Sequence, residues 1–246
     1  MQYIDINCDM GEGIDNEFLL MPFISSANIA CGFHAGEEAE MKRVVELCLQ
    51  YNIAIGAHPS FNDKQNFGRT EMDLSASEIQ QLIQEQLYIL NNIVMAAGGK
   101  LHHVKPHGAL YNMAAKDVLI AAAIAVAVKD FDNGLVYYGL SGSVMIEEAL
   151  KAGLKTANEV FADRTYQPDG LLTPRSLGDA LITNPDEAIQ QVLQMIQEEK
   201  VTTTNGEKIA IQADTVCIHG DGKHAVEFAE KINLCLVKAG IQILKI

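Results

Sequence analysis

The stretch LHHVKPHGALYN, residues 101–112, decides how the rest of the chain reads. In a β-strand successive side chains alternate between faces, so His103, Lys105 and His107 share one side with Leu101, while Val104 and Pro106 take the other. A strand buried on both sides fills both faces with apolar groups, so three basic side chains in succession on one face need a reason. Pro106 and Gly108 then end the strand where His107 emerges. Such a strand is either a sheet edge with one wet face or part of a wall facing a polar space.

The pattern recurs, and that favours the wall. Residues 3–9 place Ile4, Ile6 and Cys8 on one face and Asp5, Asn7 and Asp9 on the other, followed by the turn Met10-Gly11-Glu12-Gly13. Residues 26–33 run into His34, bracketed by Gly32 and Gly36, and residues 53–57 run into His58-Pro59. Further strands read at 135–140, at 155–161 with Glu159, and at 214–218 before His219-Gly220-Asp221.

Helices fill the gaps. Residues 37–50 carry the stripe Met41, Val44, Val45, Cys48 and Leu49. Ser75-x-x-Glu78 opens a helix as a capping box, and Gly98-Gly99 stops it. Residues 114–128 read as one well-covered Ala-rich helix, and 143–152 as another. Asn184-Pro185-Asp186-Glu187 opens a helix to 199, and the last helix spans 224–239 before a strand-like 241–246. Asn205-Gly206 marks a hairpin within 201–212. Long loops span 60–74, with Phe67-Gly68-Arg69, and 162–184, with Asp163, Arg164 and Arg175.

Strand–helix alternation repeated about seven times implies a parallel sheet with right-handed crossovers. An open doubly wound sheet and a closed barrel both satisfy it. Polar strand faces favour the barrel, whose lumen narrows around small residues and widens into a polar mouth: His58 shares its face with Ala54 and Gly56, and His34 with Ala30 and Gly32. The expected architecture is one α/β domain over 1–246, a (β/α) TIM-like barrel of about seven parallel strands with a small β-hairpin insertion.

At 246 residues and 48% hydrophobic content the chain suits one large barrel. A formal charge of −14 argues against a nucleic-acid or anionic-membrane surface. The apolar run at 121–128 is stopped by Lys129 and Asp130, short of the roughly 20 residues a membrane span needs. MQYIDINCDMGEG has no signal-peptide pattern, so a cytoplasmic location is expected. Cys8, Cys31, Cys48, Cys217 and Cys235 sit in apolar periodic contexts and read as reduced core thiols.

His34, His58, His107 and His219 stand at or just past strand C-terminal ends, which in parallel α/β folds face the ligand site. Asp9, Glu12, Glu159, Asp163 and Asp221 share that position, with Lys105 and Arg164 adding positive charge. Two chemistries suit the set. Neutral imidazoles and carboxylates hold a divalent metal that activates water, or the same groups do metal-free acid–base work with Lys105 or Arg164 stabilising negative charge. Asp5 and Asn7 lie deeper and divide between site and lumen structure; His103 reads as support, and His102 points away. HExxH, GxxxxGK[ST], an opening GxGxxG and a G-x-S-x-G elbow are all absent, which disfavours nucleotide-binding and serine-hydrolase readings. The glycines of Gly220-Asp221-Gly222-Lys223 remain able to present amides to an anion.

The segments DINCDMGE, NIACGFHAGE, GAHPSFND with FGR, KPHGALYN, EVFADRTY and CIHGD resemble, in order and over nearly the whole chain, the LamB/YcsF family of 5-oxoprolinase A-type subunits. The resemblance implies a barrel of the glycoside hydrolase/deacetylase type. It also implies ATP-dependent opening of the 5-oxoproline lactam to glutamate, with subunits B and C as partners and ATP held by those partners. Carried over by motif and assigned by chemistry, Asp9, Lys105, His107 and Glu159 are the expected catalytic groups. Lys105 stabilises charge, His107 donates a proton, and Asp9 or Glu159 activates water. Glu12, His34, His58, Arg69, Asp163, Arg164, His219 and Asp221 are the expected substrate-binding groups. A divalent metal, if used, would take His34, His58, His107 and Asp9. Two rivals stand beside this: a stand-alone metal-dependent amide or carbohydrate deacetylase-like hydrolase, and a non-catalytic small-molecule binding or scaffolding subunit. A homo-oligomer is compatible with each.

Overall fold

The computed structural model describes residues 2–14, 16–219 and 225–246; Asp221, the glycines beside it and the expected helix start at His224 lie outside them. The chain begins with β1 (Tyr3–Met10), α1 (Glu17–Leu20), β2 (Ser26–Ala30), α2 (Glu38–Tyr51) and β3 (Ala54–His58). It continues through α3 (Ala76–Ala96), β4 (Leu101–Val104), α4 (Gly108–Ala114), α5 (Val118–Phe131) and β5 (Val136–Leu140). Then come α6 (Val144–Ala152), β6 (Lys155–Phe161), α7 (Pro185–Gln197) and the strands β7 (Lys200–Thr202) and β8 (Lys208–Ala210). β9 (Thr215–Ile218), α8 (Ala225–Lys238) and β10 (Gln242–Ile243) complete the described order.

The parallel strands β1 to β6 pair in sequence order, β6 pairs with β9, and β9 pairs back onto β1 through Asp5↔Thr215 to Cys8↔Ile218. Among the described residues this is a closed parallel barrel with helices outside, the alternative that the polar strand faces favoured. β7 and β8 form the expected antiparallel hairpin, and β10 adds a short parallel pairing to Tyr3 and Ile4 of β1.

The lumen is polar from floor to mouth. Asp5, on the floor, accepts hydrogen bonds from the hydroxyls of Ser25 (2.6 Å), Ser26 (2.7 Å), Thr215 (2.6 Å) and Tyr138 (3.1 Å). Burial pushes its carboxyl up, and those hydroxyls offset only part of the push. His103 stacks on Tyr138 with ring centroids 4.1 Å apart. Asn7 donates to Thr215 Oγ1 of neighbouring β9 at 2.8 Å, while Asp5 reaches across the barrel to Tyr138 of β5.

Around the wall, Ser75 and Glu78 close the capping box that starts α3, through Glu78 N to Ser75 Oγ (3.3 Å) and Ser75 N to Glu78 Oε2 (2.8 Å). The Ala-rich stretch read as one helix is interrupted. α4 ends at Ala114, and Asp117 caps a new helix by accepting from the amides of Leu119 (2.8 Å) and Ile120 (3.2 Å). The two axes meet at 114°. Asp at an N-cap satisfies the free amides of a helix start, which a continuous helix would not have offered it. Among the described residues no single helix is long and apolar enough to cross a membrane.

Candidate functional site

The strand ends of β1, β4, β6 and β9 bring Lys105 to the base of a cavity of about 560 Å³ at the barrel mouth. Its amide still follows the ladder, donating to Ala57 O at 2.9 Å, so the side chain keeps the lumen parity of His103. The ammonium lies 2.9 Å from Asp9 Oδ1 and 2.8 Å from Glu159 Oε1, with Asn7 Oδ1 at 3.2 Å and Cys217 Sγ at 3.1 Å. The approach to Glu159 Oε1 is an ion pair without hydrogen-bond alignment. Burial alone would strip the proton from Lys105, but Asp9, Cys217 and Glu159 outweigh it and hold the group well above its ordinary value. Burial likewise favours neutral Asp9, yet His58 and Lys105 prevail and hold its carboxyl well below the usual range. Tyr111 donates to Glu159 Oε2 at 2.7 Å, and Asn28 donates to Asp9 Oδ1 at 2.7 Å.

Above this base, His34, His58, His107 and Glu12 face one another. His34 and His107 stack with centroids 3.8 Å apart and planes 6° off parallel. Glu12 Oε1 lies 3.1 Å from His34 Nε2, 3.4 Å from His107 Nδ1 and 3.8 Å from His58 Nε2. Burial and neighbouring His58 push His34 down to about 2 and His107 well below the ordinary histidine value. Burial and Asp9 push Glu12 up. Asp9 Oδ1 is taken by Lys105 and Asn28 while its Oδ2 lies 3.4 Å from His58 Nε2, and Glu12 is the carboxylate that faces all three histidines.

The FGR segment roofs the cluster. Phe67 adopts φ +56°, a strained conformation for a bulky residue, and turns its carbonyl to accept from His107 Nε2 at 2.9 Å. Its ring meets His34 and His107 edge-on, and the Arg69 guanidinium lies 5.0 Å from its centroid. The seat is tight: a Cβ on Gly108, at φ +60°, would lie 2.5 Å from Gly68 O.

The 162–184 loop forms the far wall. Arg164 is buried and donates to Thr173 O (2.5 Å) and Ala180 O (3.2 Å); burial and Arg175 pull its pKa down to about 10. It lines the cavity while its hydrogen bonds hold the loop. Asp163 accepts from His219 Nδ1 at 2.8 Å, and Arg175 Nη2 lies 3.1 Å from His219 Nε2. Burial opposes both charges, but each partner outweighs it: Asp163 holds His219 above its ordinary value, and His219 holds Asp163 below its own.

Of the expected site residues, Asp9, Glu12, His58, Arg69, Lys105, His107, Arg164 and His219 line one mouth, whereas His34, Glu159 and Asp163 sit behind its wall, paired with Glu12, Lys105 and His219. Asp221 lies outside the described residues. Asn28, Ser60, Phe67, Tyr111 and Arg175 were not expected there. The polar parity of Asn28 beside Ser26 and Ala30 could have flagged it; a carbonyl role for Phe67 leaves no side-chain signal.

The LamB/YcsF family model matches residues 4–246. A relative from Shouchella clausii, named as the A subunit of 5-oxoprolinase, is 55% identical over 248 residues, 99% of this chain and 98% of the relative. A relative of the same name from Tolumonas auensis is 51% identical over 250 residues, 99% of each chain. The crystal structure of a lactam utilization protein from Thermus thermophilus superposes with a TM-score of 0.93 at 42% identity, covering 100% of both chains.

Proposed function

The chain belongs to the LamB/YcsF family, and we propose that it is the lactam-binding, hydrolytic subunit of an ATP-dependent 5-oxoprolinase that opens 5-oxo-L-proline to L-glutamate. Its relatives' name carries the subunit role; subunits B and C are the proposed partners. The chain has no GxxxxGK[ST] loop, so ATP is assigned to those partners.

The observation that carries the reading is the Lys105 ammonium held between Asp9 and Glu159 at the base of a small-molecule cavity. An amide carbonyl gains negative charge when water adds, and a fixed, buried cation stabilises that charge strongly. Asp9, kept ionised, accepts a proton from the attacking water. The water oxygen bonds to the ring carbonyl carbon, the carbon–nitrogen bond breaks, and a proton passes to the departing nitrogen. His107, the expected donor, spends its Nε2 proton on Phe67 O. His219 suits the task better, because its ring lines the cavity and Asp163 both orients it and favours its protonated form; Arg175, which donates to its Nε2 here, turns to the substrate carboxylate when that nitrogen carries the proton. Arg69 and Arg175 on the walls offer positive charge to the substrate carboxylate.

The test is release of glutamate from 5-oxoproline and ATP by the chain reconstituted with subunits B and C. Turnover that persists when this chain is omitted, or an inactive complete mixture, would overturn the reading.

A further inference from the structure

The protons of the three mouth histidines can be located from their partners. His58 Nδ1 lies 2.7 Å from Lys105 O, and His107 Nε2 lies 2.9 Å from Phe67 O. Carbonyls only accept, so both nitrogens carry hydrogen. His34 Nδ1 lies 2.9 Å from Ser60 Oγ, whose own proton goes to Phe61 O at 2.9 Å, so Nδ1 is the donor there too. A ring that carries no second proton presents a lone pair at its other nitrogen.

Those other nitrogens gather round Glu12 Oε1, with Asp9 Oδ2 3.4 Å from His58 Nε2 as a further acceptor. His58 Nε2 and His107 Nδ1 stand 2.9 Å apart, and Glu12 Oε1 faces both and His34 Nε2. The four atoms all lie within 4.8 Å of one another. His34 and His58 are almost wholly buried, which sharpens the repulsion between acceptors gathered there. A single proton satisfies one pair of acceptors, whereas a metal satisfies all four. The separations from Glu12, 3.1 to 3.8 Å, scatter around the about 3.4 Å edge of a tetrahedron with bonds near 2.1 Å. The outward hydrogen bonds to Ser60, Lys105 O and Phe67 O are the kind that fix metal-bound imidazoles.

We infer that Glu12, His34, His58 and His107 bind one divalent first-row transition metal, with zinc the best match to three imidazoles and a carboxylate. Glu12, His58 and His107 line the cavity, so the cation is presented to its contents and supplies Lewis acidity there. The inference deepens the lactam reading by naming a cofactor for the same mouth.

The test uses the isolated full chain, stripped by chelator, titrated with Co2+ and then with Zn2+. One cobalt per chain is expected, with the strong visible absorption of low-coordinate cobalt, displaced by zinc. Glu12→Gln and His34→Ala, checked for folding by circular dichroism, should bind at least about 100-fold more weakly, and Ser60→Ala, a positioning change, about 10–100-fold more weakly. The absence of stoichiometric uptake, with nitrogen NMR showing a proton shared by His58 and His107, would overturn the inference. So would uptake unchanged in all three variants. Turnover is not read, so a chain that binds cobalt but takes no part in glutamate release overturns only the lactam proposal.

Discussion

The His103 imidazole fills the space that a side chain on Gly56 would need: a Cβ there would lie 2.1 Å from His103 Nε2. That nitrogen donates to Asn28 Oδ1 at 2.8 Å, and Asn28 in turn donates to Asp9. The bare backbone of β3 thus sets the position of Asp9 through two intermediates. Gly56→Ala should destabilise by about 1–3 kcal/mol or more, since a close-packed lumen gives way only by moving the ring. Urea unfolding measures it. Because the clash is with one ring, Gly56→Ala combined with His103→Ala should lose less than the sum of the single changes. Strict additivity would show that the ring is not what Gly56 accommodates.

Lys105→Met tests the base of the cavity. Asp9 and Glu159 would face each other, buried, without their cation, and breaking such a pair costs about 3–5 kcal/mol. Glutamate release should vanish. Adding Glu159→Gln removes one orphaned charge, so thermal stability should partly return while activity stays absent. Recovery of both would mean that Lys105 serves only the fold.

The barrel was legible because the lumen writes itself into strand parity: Asp5, Asn7 and Asp9, then His103, Lys105 and His107, repeat at period two. Helix starts marked by local chemistry, such as Ser75 and Asn184, were legible as well. Asp117 carried the same kind of signal, but the Ala-rich pattern was read straight through it. α4 was hidden because Pro106 and Gly108 read only as the terminators of a strand, although the helix begins at Gly108 itself. At the site, residue types at strand ends gave the members of the mouth. Which carboxylate meets which histidine depends on register and on the turn carrying Glu12. That turn is fixed by Glu17, whose Oε1 accepts from Gly11 N at 2.7 Å, a contact no spacing rule announces.

Arg164 holds the far wall through two loop carbonyls, with its guanidinium buried. Arg164→Lys keeps the charge but cannot reproduce two divergent planar N–H donors. Residues 162–184 should become more sensitive to limited proteolysis, and KM for the lactam should rise more than kcat falls, because the wall shapes the cavity while Lys105 and Asp9 stay in place. An equal fall in kcat and kcat/KM at constant KM would instead place Arg164 in the chemistry.

The Asp163–His219 pair should leave a signature in pH dependence. His219 is held above its ordinary 6.5, so its contribution to stability is full below that value and is lost as pH rises through its folded pKa. Asp163 is held below its ordinary 3.8, so its contribution is present above that value and is lost as pH falls through its own. The pair therefore stabilises most between these ordinary values. Asp163→Asn should lower stability by about 1–3 kcal/mol at pH 5.5, roughly the worth of one hydrogen bond between charged groups, and by less at pH 9. The same substitution lowers the proton affinity of His219, although Asp9 still favours its cation and Arg175 still opposes it. If His219 protonates the departing nitrogen, the alkaline limb of kcat should move to lower pH in Asp163→Asn. A limb that stays in place while stability falls would leave His219 a structural role and send the proton donor elsewhere in the mouth.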